Sequence, residues 1–227
     1  MMQKKPTCCI LDAETTNPGD VSWEGLEAVC DLTVYPRTPP GQIPDRARDA
    51  EIVITNKAVL TGDIVRQLSG LRLVCLLSTG TNAVDLDACR ERGVPVCNIP
   101  AYSTASVAEH TFALLLAWAR GVETHGRAVR EGDWATSGDF CFQLTPQREL
   151  AGRTLGLFGF GEIAQSVARI AAAFGMEVLA HTPHPEGKPG LGQKFVSRED
   201  LFARAEILSL HCPLTPQTHH IVDDTAL

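Results

Sequence analysis

Apolar and polar positions in the first hundred residues follow two alternating patterns. Short apolar runs at residues 8–11 (CCIL), 51–55 (EIVIT), 71–77 (LRLVCLL) and 94–97 (VPVC) read as strands, and 31–35 (DLTVY) alternates like one. Residues 23–29, 61–68 and 85–92 read as helices, the last two closed by Gly70 and Gly93. Residues 17–20 (NPGD) make a turn, and 36–44 a proline-rich loop. The run at 71–77 is apolar enough to lie at the centre of a sheet. Strands joined by helices imply a parallel sheet covered on both faces. Residues 1–99 are therefore expected to form a complete α/β domain of flavodoxin-like type.

A second domain is expected over residues 100–227. A loop at 98–104 leads to a long helix at 105–120, with Ser106 and Glu109 at capping-box spacing near its start. The centre of that helix, 112–118 (FALLLAW), is apolar nearly all round. It is buried either within the chain or against another subunit. A more polar helix follows at 122–130, then a loop over 134–147 with Phe140 and Phe142. Strands are expected at 153–158, 176–181 and 206–210, with helices from Ile163 to Phe174 and over 196–205. Residues 222–227 look like the opening of a further helix. Three strands are half of a doubly wound sheet of about six. The second domain is thus expected to be incomplete in its C-terminal half, as in a C-terminally truncated chain.

The chemistry centres on Gly159-x-Gly161-x-x-Ala164, the dinucleotide fingerprint in its G-x-G-x-x-A form. Glycines let the backbone approach a pyrophosphate, which sits on the free N–H groups of the helix N-terminus. The same spacing occurs in ordinary strand-turn-helix corners. The apolar strand before it and the helical repeat of Ile163, Val167, Ile170, Ala171 and Phe174 after it favour the dinucleotide.

Composition narrows the field. The chain is 44% hydrophobic and 21% charged, with net charge −7, which points away from nucleic acid or an anionic membrane as partner. The apolar run at 112–119 is too short to span a bilayer, and residues 8–11 are too brief for a signal peptide. None of the eight cysteines forms Cys-x-x-Cys, so free thiols in a reducing cytoplasm are expected rather than disulfides or a metal site.

Four stretches in order resemble the D-2-hydroxyacid dehydrogenase family: 77–85 (LSTGTNAVD), 98–109 (NIPAYSTASVAE), the fingerprint, and 211–215 (HCPLT). Residues 17–20, 31–40 and 138–142 resemble its glycerate dehydrogenase (hydroxypyruvate reductase) branch. The resemblance implies a two-lobed enzyme, a substrate domain followed by an NAD- or NADP-binding Rossmann domain. It would move hydride between the nicotinamide and a small 2-oxo or 2-hydroxy acid: hydroxypyruvate to D-glycerate, or glyoxylate to glycolate. It implies carboxylate binding by backbone N–H groups near Thr79 and Gly80. It places Thr104, Gly159, Phe160, Gly161, Glu162, Ile163, Thr182, Cys212, Pro213 and Thr218 along the cofactor. The complete enzyme is expected in the cytoplasm, as a homodimer whose contact is the 105–120 helix.

Three departures stand out. The family's catalytic arginine, glutamate and histidine are expected beyond Leu227, so no catalytic residue is assigned within this chain, and the 227 residues alone are expected to be inactive. The adjacent His219 and His220 should point apart on a regular backbone, a poor catalytic or metal pair. Glu162 stands where the family often has arginine beside the pyrophosphate, and Thr182 where an acid would take the ribose hydroxyls, leaving the choice between NAD and NADP open. A non-catalytic nucleotide-binding module, like the C-terminal binding protein corepressors that resemble this family, is the alternative.

Overall fold

The structure, a computed structural model, describes residues 4–224 and Ala226. It divides into two compact units between Tyr102 and Ser103.

The first unit runs β1 (Thr7–Ile10), α1 (Glu24–Glu27), β2 (Asp31–Val34), α2 (Ile43–Ala47), β3 (Ile52–Thr55), α3 (Gly62–Gln67), β4 (Leu73–Leu76), α4 (Leu86–Glu91) and β5 (Val96–Cys97). All strand pairs are parallel, in the order β2-β1-β3-β4-β5. This is the flavodoxin-like winding, with its switch point at β1 and β3. Alternate residues feed two cores. Cys9, Leu11, Val53, Val74 and Leu76 pack on one face, and Cys8, Ile10 and Ile54 on the other. Thr61 and Asp85 cap α3 and α4, each side chain accepting a backbone N–H in the first turn.

Part of the proline-rich segment is helical. A turn of 3-10 helix at Pro40–Gln42 leads into α2, which buries Ile43 and Ala47 four residues apart. Pro40 and Pro44 sit in the first turns of these helices, where no N–H is needed. Their number hid the apolar pair. Asp12, just past β1, is buried and holds the turn after β3. Its carboxylate accepts the backbone N–H groups of Asn56 (2.9 Å), Ala58 (2.9 Å) and Lys57, and the Thr55 hydroxyl.

The second unit runs α5 (Thr104–Arg120), α6 (Val122–Glu131), α7 (Asp133–Thr136), β6 (Thr154–Phe158), α8 (Glu162–Ala173), β7 (Glu177–His181), β8 (Lys194–Phe195), α9 (Arg198–Arg204) and β9 (Ile207–Leu210). Its sheet has four parallel strands, β8-β7-β6-β9, where three were expected. The extra strand is two residues long, Lys194 and Phe195 opposite Leu179 and Ala180, too short for any period to register. In order of appearance the strands lie 3-2-1-4, the first four positions of a doubly wound dinucleotide sheet.

Leu155, Leu157 and Leu179 are fully buried, each stabilising the fold by about 1.5–3 kcal/mol. Gly156, between the first two, lies under α9. A Cβ there would meet the Ala205 Cβ at 2.6 Å. Helix α5 packs on α8, with the Phe112 and Phe174 rings stacked at 5.3 Å. Further expectations for this unit change. Helix α5 begins at Thr104, and Ser103 caps it without a side-chain bond, so the capping box at Ser106 and Glu109 falls inside the helix. Only part of its apolar centre is covered, since Leu114 and Trp118 are 60% and 52% exposed. A short α7 opens the loop that carries Phe140 and Phe142. Of the helix expected at 222–227, Thr225 and Leu227 lie outside the described residues, and 222–224 are not helical.

Replacing Asp12 by alanine leaves three backbone N–H groups without their acceptor, that of Asn56 in a buried position. The expected cost is about 3 kcal/mol or more. It should show as a lower urea midpoint in circular dichroism, and an unchanged midpoint would mean that water satisfies the turn instead.

Candidate functional site

The C-terminal ends of β7, β6 and β9 are joined through two residues. The Gly159 N–H donates to the His181 carbonyl (2.8 Å), and the His211 N–H donates to the Phe158 carbonyl (2.7 Å). Gly159 has φ +94°, and a Cβ on it would lie 2.7 Å from the His211 carbonyl oxygen and 2.9 Å from the Cys212 nitrogen. Glycine is required there on both counts. Phe160 is buried, its ring edge-on to Phe195 at 5.2 Å. The turn thus puts an aromatic plug under the loop and leaves the backbone facing out.

Gly161 is the N-cap of α8, in an extended conformation, with no side-chain cap and open space where a Cβ would project. The first N–H groups of α8 therefore have no capping side chain. With the helix dipole they form a site for an anion. Glu162 is exposed at that position and Ile163 is half-buried against the core. Ala164 is fully buried, so the third position of the fingerprint is a packing site. Thr182 directly follows the His181 carbonyl that Gly159 engages, and is half-buried.

The loop after β9 closes the other side. Cys212 packs against the cluster of Phe158, Leu179 and Leu201. Pro213 is exposed, its carbonyl accepting the Thr218 hydroxyl at 2.6 Å, and the same hydroxyl accepts the Thr215 N–H at 2.8 Å. Thr218 is thus the internal tie of this loop. His211 lies 2.9 Å through Nε2 from the Ser209 hydroxyl, and burial pushes its pKa down. Two histidines depart from expectation. His219 and His220 stack with ring centroids 3.9 Å apart, because His220 takes a left-handed backbone (φ +54°) that turns its ring onto its neighbour.

In the first unit, Thr79 and Gly80 follow β4, both exposed. Their loop is tied to the segment after β5. Thr79 Oγ1 donates to the Ile99 carbonyl (2.9 Å), Asn98 Nδ2 donates to the Thr79 carbonyl (2.8 Å), and the Ile99 N–H donates to Ser78 (3.1 Å). Gly80 lines a pocket of about 380 Å³ with Asn56, Lys57, Val59, Ser78 and Asn82. Asn56 and Lys57 line this pocket without having been singled out in the sequence. Their position is set by buried Asp12, some 45 residues away in the chain, and the signal that could have found them was an acid directly after the first apolar strand. Thr104, at the start of α5, belongs to the second unit.

Comparison with known proteins agrees with this geometry. Residues 112–227 match the D-isomer specific 2-hydroxyacid dehydrogenase, NAD binding domain. A hydroxypyruvate reductase of Blautia hydrogenotrophica is 39% identical over 220 residues, covering 94% of this chain and 68% of that protein. A glycerate dehydrogenase of Methylorubrum extorquens is 37% identical over 183 residues, 81% of this chain and 56% of its own length. Among solved structures, an acyclic imino acid reductase in complex with NADPH and D-Arg superposes with a TM-score of 0.83 at 26% identity, over 97% of this chain and 70% of that one. A D-lactate dehydrogenase of Aquifex aeolicus complexed with NAD and lactic acid does so at 0.80 and 29%, over 96% and 64%.

Fold, glycine turn and sequence likeness converge on a nicotinamide-dependent oxidoreductase. The chain belongs to the D-isomer specific 2-hydroxyacid dehydrogenase family, and its cofactor is NAD or NADP. Among the described residues, no helix is long and apolar enough to cross a membrane, and no group of His, Cys, Asp and Glu is placed to hold a metal ion.

Gly159→Ala should lower stability by about 2 kcal/mol or more, from the left-handed backbone and the contact with His211 together. It should also abolish NADH binding. Near-normal binding by fluorescence titration would show that the turn relaxes around a methyl group.

Proposed function

We propose that the chain is the substrate domain and the first part of the cofactor domain of a hydroxypyruvate reductase. Such an enzyme reduces hydroxypyruvate, or glyoxylate, to D-glycerate or glycolate. The observation that most supports this reading is the 39% identity to a hydroxypyruvate reductase across nearly the whole chain. The residues fit a dinucleotide. The Gly159 turn leaves room only for backbone, and the start of α8 lacks a capping side chain. The backbone of Gly159, Phe160, Gly161, Glu162 and Ile163 would face the pyrophosphate, with Thr182 at the ribose. Cys212, Pro213 and Thr218 would lie beside the adenosine half, and Thr104 near the nicotinamide. The bound cofactor supplies or takes the hydride.

Backbone N–H groups of Thr79 and Gly80 would bind the substrate carboxylate. Three hydrogen bonds from the 98–99 segment hold that loop in one geometry, so the anion meets donors already in place. For proton transfer, none of the seven histidines occupies the family's catalytic motif. His125 and His211 are both engaged in hydrogen bonds, and His219 is stacked on His220. These residues alone are therefore expected to bind cofactor without turning over. Titration with NADH, followed by a hydroxypyruvate assay, separates binding from chemistry. Substantial turnover would show that an acid–base group is present after all.

The complete protein is proposed to work in the cytoplasm, in keeping with eight free cysteines, and as a homodimer through α5, whose Leu114 and Trp118 lie exposed.

Two substitutions probe the cofactor contacts. Glu162 is exposed beside the expected phosphates, and at about 6 Å like-charge repulsion is roughly 1–3 kcal/mol. Glu162→Arg should therefore tighten NADH binding about tenfold. Unchanged affinity would mean that the Glu162 side chain already points to solvent. Thr182→Asp should favour NAD over NADP, since a carboxylate accepts ribose hydroxyls and repels a 2′-phosphate. A preference that does not move would place the selector elsewhere.

A further inference from the structure

Two thiols in the first unit lie where oxidation could join them. Cys75 on β4 and Cys97 on β5 are register partners in a parallel ladder. Partners in neighbouring strands share a face, with backbones about 4.8 Å apart, inside the Cα range of about 4.4–6.8 Å that a disulfide spans. Cys97 is exposed and Cys75 half-buried. Burial pushes the Cys75 thiol up, with the nearby Cys97 adding to the shift. Cys97 is therefore the thiol that oxidant reaches first, and Cys75 the one behind it. Side-by-side parallel strands hold Cβ atoms slightly farther apart than a relaxed disulfide prefers. Strand β5 has only two residues, pairs on one side only, and lies at the sheet edge, so it can shift at low cost. The remaining strain makes such a bond easy to reduce again.

The residues that follow give this pair a consequence. Asn98 and Ile99, directly after Cys97, make the three hydrogen bonds that hold Ser78 and Thr79. Cys75 precedes the same loop by three residues.

We propose that Cys97 and Cys75 form a reversible disulfide driven by hydrogen peroxide, and that this bond disturbs the 78–80 loop. The Cys97 thiolate attacks one peroxide oxygen, the O–O bond breaks, and a sulfenic acid forms with hydroxide, which takes up a proton to leave as water. The Cys75 sulfur then attacks the sulfenic sulfur, the S–S bond forms, and a second water leaves. Two thiols lose two electrons and peroxide gains them. A dithiol reductant reverses the step by exchange. The cross-link rests on the thiol geometry alone. Its effect on ligand binding rests on the reading of Thr79 and Gly80 as the carboxylate loop.

The test is to treat the native chain with hydrogen peroxide, block remaining thiols with iodoacetamide, and map peptides without reduction. A peptide joining Cys75 to Cys97 is expected, lost in Cys75→Ser and Cys97→Ser and removed by dithiothreitol. Over-oxidation of Cys97 with Cys75 still alkylated would overturn the proposal. So would oxidation confined to the other exposed thiol, Cys141. Amide hydrogen exchange over residues 76–99 should be faster in the oxidised form, and unchanged exchange would remove the effect on the loop. Oxalate, a small dicarboxylate probe, should bind the oxidised form about tenfold more weakly than the reduced one. Equal binding to both overturns the coupling. Binding to neither overturns the carboxylate reading and leaves the cross-link to stand or fall by its peptide.

Discussion

Everything in the second unit is placed by the meeting of three strand ends at Phe158 and Gly159. Strand β6 is central, and its last residues bond sideways to both neighbours: Gly159 to His181 and Phe158 to His211. These bonds bring β7 and β9 to the same level, so the residues after all three strands emerge together. They also bring the His211–Cys212 peptide so close to Gly159 that no side chain fits between. Any residue but glycine would either open the β6–β9 pairing or push the turn outward, and the start of α8 would move with it. A turn of this kind trades side-chain contacts for backbone N–H groups on the surface, which is what an anionic ligand needs.

Electrostatics at that surface is less one-sided than the backbone geometry. The bare start of α8 attracts negative charge, and Glu162 already supplies some. In the free protein the carboxylate relieves the dipole. With a diphosphate present, the same group opposes binding. At the far end of β7, Thr182 is neutral and adjoins a loop with His184 and Lys188. On the proposed reading, the backbone shape suits a dinucleotide, and no acid stands at Thr182 to separate NAD from NADP.

Periodicity revealed the strands that carry long apolar runs and the helices closed by glycine, because burial of one face writes itself into the residue order. It revealed Gly159 for a related reason, since positive φ and close backbone approach tolerate one residue type. It could not reveal β8, whose two residues pair with β7 through backbone atoms that any sequence possesses. It missed α2, where prolines that suit a helix start look like loop residues. The stacking of His219 on His220 depends on one left-handed residue, a backbone that no apolar or polar pattern announces. The partners of Asp12 were not legible, since they lie 43 to 46 positions away and are mostly backbone groups.

Asp12 also shows how the first unit reaches the same end as the second by different means. Both units carry loops at the C-terminal ends of parallel strands, the proposed ligand-binding ends. In the second, the loops are held by main-chain bonds around a glycine. In the first, a buried carboxylate gathers the N–H groups after β3, and an amide and a hydroxyl side chain, with one main-chain bond, clamp the loop after β4 to the segment after β5. A clamp made mostly of side chains is released by smaller local changes than one made of backbone, which requires a strand to move. Whatever adjusts this protein without unfolding it should therefore act on the first unit, near residues 75–80 and 97–99, rather than on the glycine turn.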